Sequence, residues 1–168
     1  VLGISWFWFL GATYLAQLPN YTKLTLGGDE HVVTLLLTIF ALGIGIGSLL
    51  CERLSGRRVE LGLVPFGAIG LTVFGVDLFF AASPVAPEAA LMGAMEFLRS
   101  FSHWRVLIDI LLMGTFGGFY IVPLYALVQQ RSEPSCRARV IAGNNILNAL
   151  FMVASALLAI AFLDGVGL

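Results

Sequence analysis

The stretch "VVTLLLTIFALGIGIGSLL", Val32 to Leu50, holds no charged residue, and it is one of five long, mostly apolar runs. A helix needs about 20 apolar residues to cross a hydrocarbon core about 30 Å thick. The other runs are Val1 to Leu18, about Leu61 to Ala82, about Val106 to Val128, and Val140 to Leu163. This pattern constrains the fold more than any single residue does. Between the runs there is too little polar sequence to cover a water-soluble surface. The chain is 59% hydrophobic and only 11% charged, with mean hydropathy +0.96, where soluble domains carry about 25% charged residues. Membrane β-strands alternate apolar and polar positions, and these runs do not. The expectation is an all-α integral membrane protein with about five transmembrane helices in a single membrane domain, 1–168. The first residue is Val1 and the apolar run begins at once. We therefore expect a piece of a longer chain, without a cleavable signal peptide, which would begin with a basic region.

Charge in the connections orients the helices. The second and fourth connections hold Arg53, Arg57, Arg58, Arg131, Arg137 and Arg139; the first and third hold Lys23, Arg99 and Arg105. Basic residues concentrate on the cytoplasmic side. The start is therefore expected in the cytoplasm and the end outside it. Trp6, Trp8 and Trp104 fall near the interfaces, as in an aromatic belt. Cys51 and Cys136 lie on the reducing side and are expected as free thiols. His31 and His103 have no ligand spacing around them, so no metal and no cofactor is expected. Nothing in the charge pattern suits nucleic acid. The connection from Pro84 to Trp104 is expected to hold a short helix with Leu91, Met95 and Leu98 on one face.

Several intramembrane features are candidates for function. Asp77 is read as the one acid well inside an apolar segment, and ionisable residues there are functional candidates by default. Asn144 and Asn148 in "GNNILNA" are four apart and share a helix face. With Asn145 they are expected to line a bundle interior, because membrane-buried amides seek partners. Gln17, with Tyr21 and Lys23, is a weaker polar-headgroup candidate. Gly43 and Gly47, four apart, permit close helix approach. Gly117, Gly118 and Pro123 in "GGFYIVP" predict a pliable or kinked helix. No nucleophile with a base, no paired catalytic acids and no phosphate-cradling glycine loop occur, so this chain is not expected to be an enzyme.

The tightest knot of charge is "CERLSGRRVELG", Cys51 to Gly62. It combines Glu52 and Arg53 at a helix end with Gly56, Arg57 and Arg58, and Ser48 lies one helical turn before the acid. A carboxylate in this position can pair with arginines and with a neighbouring helix N-terminus, latching two helices in one conformation. The order resembles the loop motif of the major facilitator superfamily, G-x-x-x-D-R-x-G-R-R, between the second and third helices of each six-helix half. Ser48 stands where Gly is usual, Glu52 where Asp is usual, and one extra residue separates Arg53 from Gly56. Three longer stretches narrow the resemblance: "FWFLGATYLAQLPNYTK", "GSLLCERLSGRRVELGLVPFG" and "GTFGGFYIVPLYALVQQRSEPSCRARVIAGNNILNALFMVASA". They are similar to the lysophospholipid transporter branch of that superfamily, in the version fused ahead of a glycerophospholipid acyltransferase and an acyl carrier protein ligase. The resemblance implies helices seven to eleven of twelve, a missing N-terminal half, and a place in the bacterial inner membrane with a periplasmic end. It also implies inward flipping of lysophospholipid by alternating access. A drug or small-solute exporter of the same superfamily, and a membrane anchor for a fused acyltransferase, are the alternatives.

Overall fold

The computed structural model describes residues 1–56, 59–81 and 91–166, the side chains of Asp164 and Val166 excepted. It is helical throughout: α1 (Leu2–Leu24), α2 (Glu30–Leu54), α3 (Leu63–Phe80), the short α4 (Ala94–Arg99), a single 3-10 turn (Phe101–His103), α5 (Trp104–Arg131) and α6 (Arg137–Val166). Among the described residues there is no β-strand. Helices over 30–54, 63–81, 101–131 and 137–163 are long and apolar enough to cross a membrane. The chain is thus an all-α integral membrane protein. At 23 residues α1 is long enough as well, but Gln17, Asn20 and Lys23 dilute its apolar run. The apolar side chains turned outward are large: Ile69, Phe79, Ile146, Leu157 and Phe162 are all mostly exposed. In water such a surface would be an aggregation hazard; against acyl chains it is the expected solvent-facing side.

The helix ends follow local chemistry. Asp29 caps α2, its carboxylate accepting from the backbone N–H of His31 at 2.9 Å and of Val32 at 3.1 Å. Such a cap satisfies N–H groups that have no intrahelical partner. At the other end, Ser55 N–H returns to the Cys51 carbonyl, and Gly56 takes a left-handed φ of 56°, a conformation that suits glycine at a helix C-terminus. The turn from α1 to α2 uses Gly27 at φ 66°. There Met92 N–H donates to the Gly27 carbonyl at 2.7 Å, and Asp29 N–H donates to the Met92 carbonyl at 3.0 Å. These two bonds tie the α1–α2 turn to the chain ahead of α4.

Two expectations about the elements need correction. The first helix does not stop at Leu18; it runs on to Leu24 with Pro19 inside it. Proline removes one backbone bond, but membrane helices tolerate this where other groups satisfy the freed carbonyl. The short helix ahead of α5 also presents a different face. Leu91 precedes it, Met95 is exposed, and Phe97 is fully buried and stacked on His103 at 4.1 Å between ring centroids. A helix of six residues is too short for periodicity to decide its face; one aromatic anchor decides it. Residues 82–90 of that connection lie outside the described residues.

The chain divides into two compact units. Unit 1 comprises Val1–Gln17 and Leu124–Leu168, and unit 2 comprises Leu18–Pro123. Unit 2 holds a core of Leu26, Val32, Leu36, Leu78, Phe97, Val106, Leu107, Ile110 and Met113. Its α2 and α5 meet backbone to backbone. A Cβ added at Gly43 would overlap the Leu111 carbonyl, one at Gly47 the Thr115 carbonyl, and one at Gly114 the Phe40 carbonyl. Gly118 in turn lies against Gly47 and Ser48. On the other side of α5, Gly67 abuts the Tyr120 backbone and Gly70 receives the Phe116 ring. Close backbone approach through small residues is the main device for helix association in lipid, where no hydrophobic driving force acts between helices. Despite Pro123, α5 is continuous from Trp104 to Arg131.

Candidate functional site

Unit 1 contains a row of polar side chains on faces of α1 and α6 that meet. Its centre is Asn148, only 5% exposed. The Ser5 hydroxyl donates to Asn148 Oδ1 at 2.8 Å, and Asn148 Nδ2 donates to the Tyr125 hydroxyl oxygen at 3.3 Å. Trp8 Nε1–H donates to the same oxygen at 3.0 Å. Two turns further along α6, Ser155 and Thr13 share a hydrogen bond of 2.6 Å. The spacing explains the row: on α6, Asn144, Asn148 and Ser155 recur at i, i+4 and i+11, one helical face. All three are buried, whereas Ile146, Leu150 and Leu157 of the same helix are exposed. Thus α6 turns its polar stripe inward and its greasy side outward, the reverse of a soluble helix.

Beside the row lies a pocket of about 190 Å³ lined by Trp8, Tyr125, Asn145, Asn148, Ala149 and Met152. Asn145 is exposed at its edge. Asn144 behaves differently. It is 2% exposed, yet neither its Oδ1 nor its Nδ2 has a hydrogen-bond partner among the described residues. A buried amide left in this way costs on the order of 1–3 kcal/mol. Gln17 ends the α1 portion of unit 1 and is half-buried.

Asp77 belongs to unit 2 and is paired there. Arg105 Nε donates to Asp77 Oδ2 at 3.0 Å and Nη2 to Oδ1 at 2.5 Å, the two-pronged geometry in which arginine recognises a carboxylate. The pair joins the end of α3 to the first turn of α5. Next to it sits Asp109, one turn beyond Arg105 on α5. Asp109 is 3% exposed and its Oδ2 has no donor among the described residues. Asp77 is therefore not the one acid inside an apolar segment. "RVLIDILL" carries the signal for the second: a carboxylate amid aliphatic residues at a position that α5 turns inward. Tyr21, another sequence candidate, donates to the Leu78 carbonyl at 3.0 Å, and Lys23 pairs with Glu30 at 2.8 Å.

The charged knot is partly described. Ser48 bonds back to the Ile44 carbonyl of its own helix at 2.7 Å. Glu52, Arg53 and Gly56, with Leu49, line an open recess of about 500 Å³ at the end of α2. Arg57 and Arg58 lie outside the described residues. Gly43, Gly47 and Gly118 sit at the α2–α5 contact; Gly117 is buried on α5, as is Pro123. Among the described residues, no group of three or more His, Cys, Asp or Glu side chains is placed to hold a metal ion.

No family model matches the chain. No solved structure matches it either. Curated proteins do, among them several described as "Lysophospholipid transporter LplT". The protein of that name from Cronobacter sakazakii is 32% identical over 140 residues. That from Klebsiella pneumoniae is 30% identical over 140 residues, and that from Serratia proteamaculans 31% over 139. Each alignment takes in 82% of this chain but 30% of the relative. The chain is thus similar, over most of its length, to less than a third of proteins described as lysophospholipid transporters.

Proposed function

We propose that this chain is part of a membrane transporter for lysophospholipid. In this reading α1, α2, α3, α5 and α6 are helices seven to eleven of a major facilitator protein. The chain starts in the cytoplasm and ends in the periplasm, and it works in the bacterial inner membrane with an N-terminal half. Two halves rocking about a central path carry the lipid inward, where an associated or fused acyltransferase can restore its second chain. Glu52, Arg53, Arg57 and Arg58 hold one conformation as a latch, while the α2–α5 and α3–α5 glycine contacts keep unit 2 rigid.

One observation carries the reading: the row of Ser5, Asn148, Tyr125 and Trp8, with Ser5 and Asn148 buried, beside a pocket that also has apolar walls. A lysolipid is a polar group on a single acyl chain. A path for it needs hydrogen-bonding groups and grease side by side, with the polar groups kept off the lipid face. The similarity to proteins described as lysophospholipid transporters supports the same reading.

The test is movement of labelled lysophosphatidylethanolamine into proteoliposomes containing the complete parent protein. Wild type is expected to exceed the lipid-only rate, and Asn148→Ala to reduce that excess about tenfold, the scale of one net hydrogen bond. Loss of Asn148 leaves the Tyr125 oxygen and Ser5 short of a partner at the pocket wall. A wild-type rate equal to that of protein-free vesicles refutes the function and favours a small-solute exporter or an anchor.

A further inference from the structure

The pocket in unit 1 has chemistry that the polar row alone does not describe, and it follows from counting protons. Indole Nε1–H is only a donor, so the Tyr125 oxygen must accept from Trp8. Asn148 Oδ1 accepts from the Ser5 hydroxyl at 2.8 Å. Asn148 Nδ2 faces Tyr125, and in this arrangement the phenol oxygen accepts a second time, at 3.3 Å. A phenol oxygen with two acceptor positions filled still has one proton to give. Among the described residues Tyr125 is seen only as acceptor, from Trp8 and Asn148. Accepting two hydrogen bonds also makes that O–H a better donor, since hydrogen bonds in a chain polarise one another.

The walls select what receives the proton. None of the six lining residues is charged, so a phosphate placed here would find no cation to pair with. A neutral oxygen needs none. The size agrees, because whole-ligand pockets run about 300–1,000 Å³ and this one is about 190 Å³. It has room for a segment of a lipid and not for the molecule. Trp8, Ala149 and Met152 supply the apolar wall, and Asn145 and Asn148 supply amides.

We propose that this pocket binds the uncharged glycerol segment of a single-chain lipid, with the Tyr125 hydroxyl donating to the free glycerol hydroxyl oxygen. That hydroxyl in turn donates to the Asn145 amide oxygen, so both of its hydrogen-bonding roles are met. The inference rests on the lysophospholipid reading above. It locates recognition at the feature that separates a lysolipid from a two-chain lipid, and it leaves the charged headgroup outside the pocket.

The experiment compares two lipids on two proteins. The complete parent protein, wild type and Tyr125→Phe, is titrated with 1-acyl lysophosphatidylethanolamine and with its 2-deoxy analogue, and Kd is measured for each. Wild type is expected to bind the hydroxylated lipid about tenfold more tightly, the scale of one net hydrogen bond. Tyr125→Phe is expected to bind both equally, at the affinity wild type has for the deoxy lipid. Because the comparison is a ratio on one protein sample, partial misfolding of the variant cancels. If Tyr125→Phe weakens both lipids alike, or keeps the preference, the glycerol contact is overturned while the transport reading stands. If wild type binds neither lipid, the transport reading fails and this inference falls with it.

Discussion

Gly45 and Gly47 are two residues apart on α2 and differ sharply in surroundings, which makes them a matched pair. A Cβ at Gly47 would overlap the Thr115 carbonyl, whereas one at Gly45 would meet nothing within 4 Å. Alanine is favoured over glycine in a helix by about 1 kcal/mol, so both substitutions gain that amount. Only Gly47→Ala must also force apart two backbones that have no flexible side chain to yield. Overpacking of this kind costs about 1–3 kcal/mol, and contact with backbone places Gly47 at the upper end. The two variants should therefore differ by about 3 kcal/mol, Gly45→Ala becoming slightly more stable than wild type and Gly47→Ala clearly less so. Reversible unfolding of the complete protein in mild detergent, followed by circular dichroism against added denaturing detergent, reads the difference. Equal midpoints for the two variants would mean that α2 and α5 do not touch at Gly47, and the packing argument would fail.

Two further outcomes follow from the charged and polar groups. Asp77→Asn and Arg105→Gln should each lower the unfolding temperature, and the double variant should lose less than the sum. That coupling should shrink as salt rises, because both side chains are partly exposed, Arg105 at 54% and Asp77 at 37%, and salt screens such pairs. Additive losses would show that the pair is not formed. Asn144→Leu should raise the unfolding temperature, since it removes a buried amide without partners, and should slow lysolipid movement in proteoliposomes. A lower unfolding temperature would show that the amide is bonded after all.

The features readable in the sequence were those that repeat along one helix. The apolar runs mark α2, α3, α5 and α6 to within a few residues, because a spanning helix must satisfy all its own backbone bonds in lipid. Asn144 and Asn148 fall on one face by spacing alone. Partners across helices were not readable. Ser5 and Trp8 look like ordinary members of an aromatic-rich run, and only folding sets them against Asn148 and Tyr125. The same holds for Arg105, which the sequence suggests is a loop charge and the fold makes the partner of Asp77. Asp109 was visible in "RVLIDILL", but a single acid in a long run says nothing about neighbours. The buried face of the helix before α5 is hidden for another reason. Six residues carry fewer than two turns, and Phe97 overrides whatever pattern they hold.

The paired bonds between the Gly27–Asp29 turn and Met92 bear on the order in which unit 2 is built. They join segments separated by all of α2 and α3, so the ends of a long loop must be brought together before either bond can form. Both helices have to be inserted first. Closing this clasp is thus a late event in assembly, and slow hydrogen exchange at the amides of Asp29 and Met92 marks molecules in which unit 2 has been completed. A chain whose third helix has failed to insert would keep α2 with its Asp29 cap, which is local, and would lack the clasp.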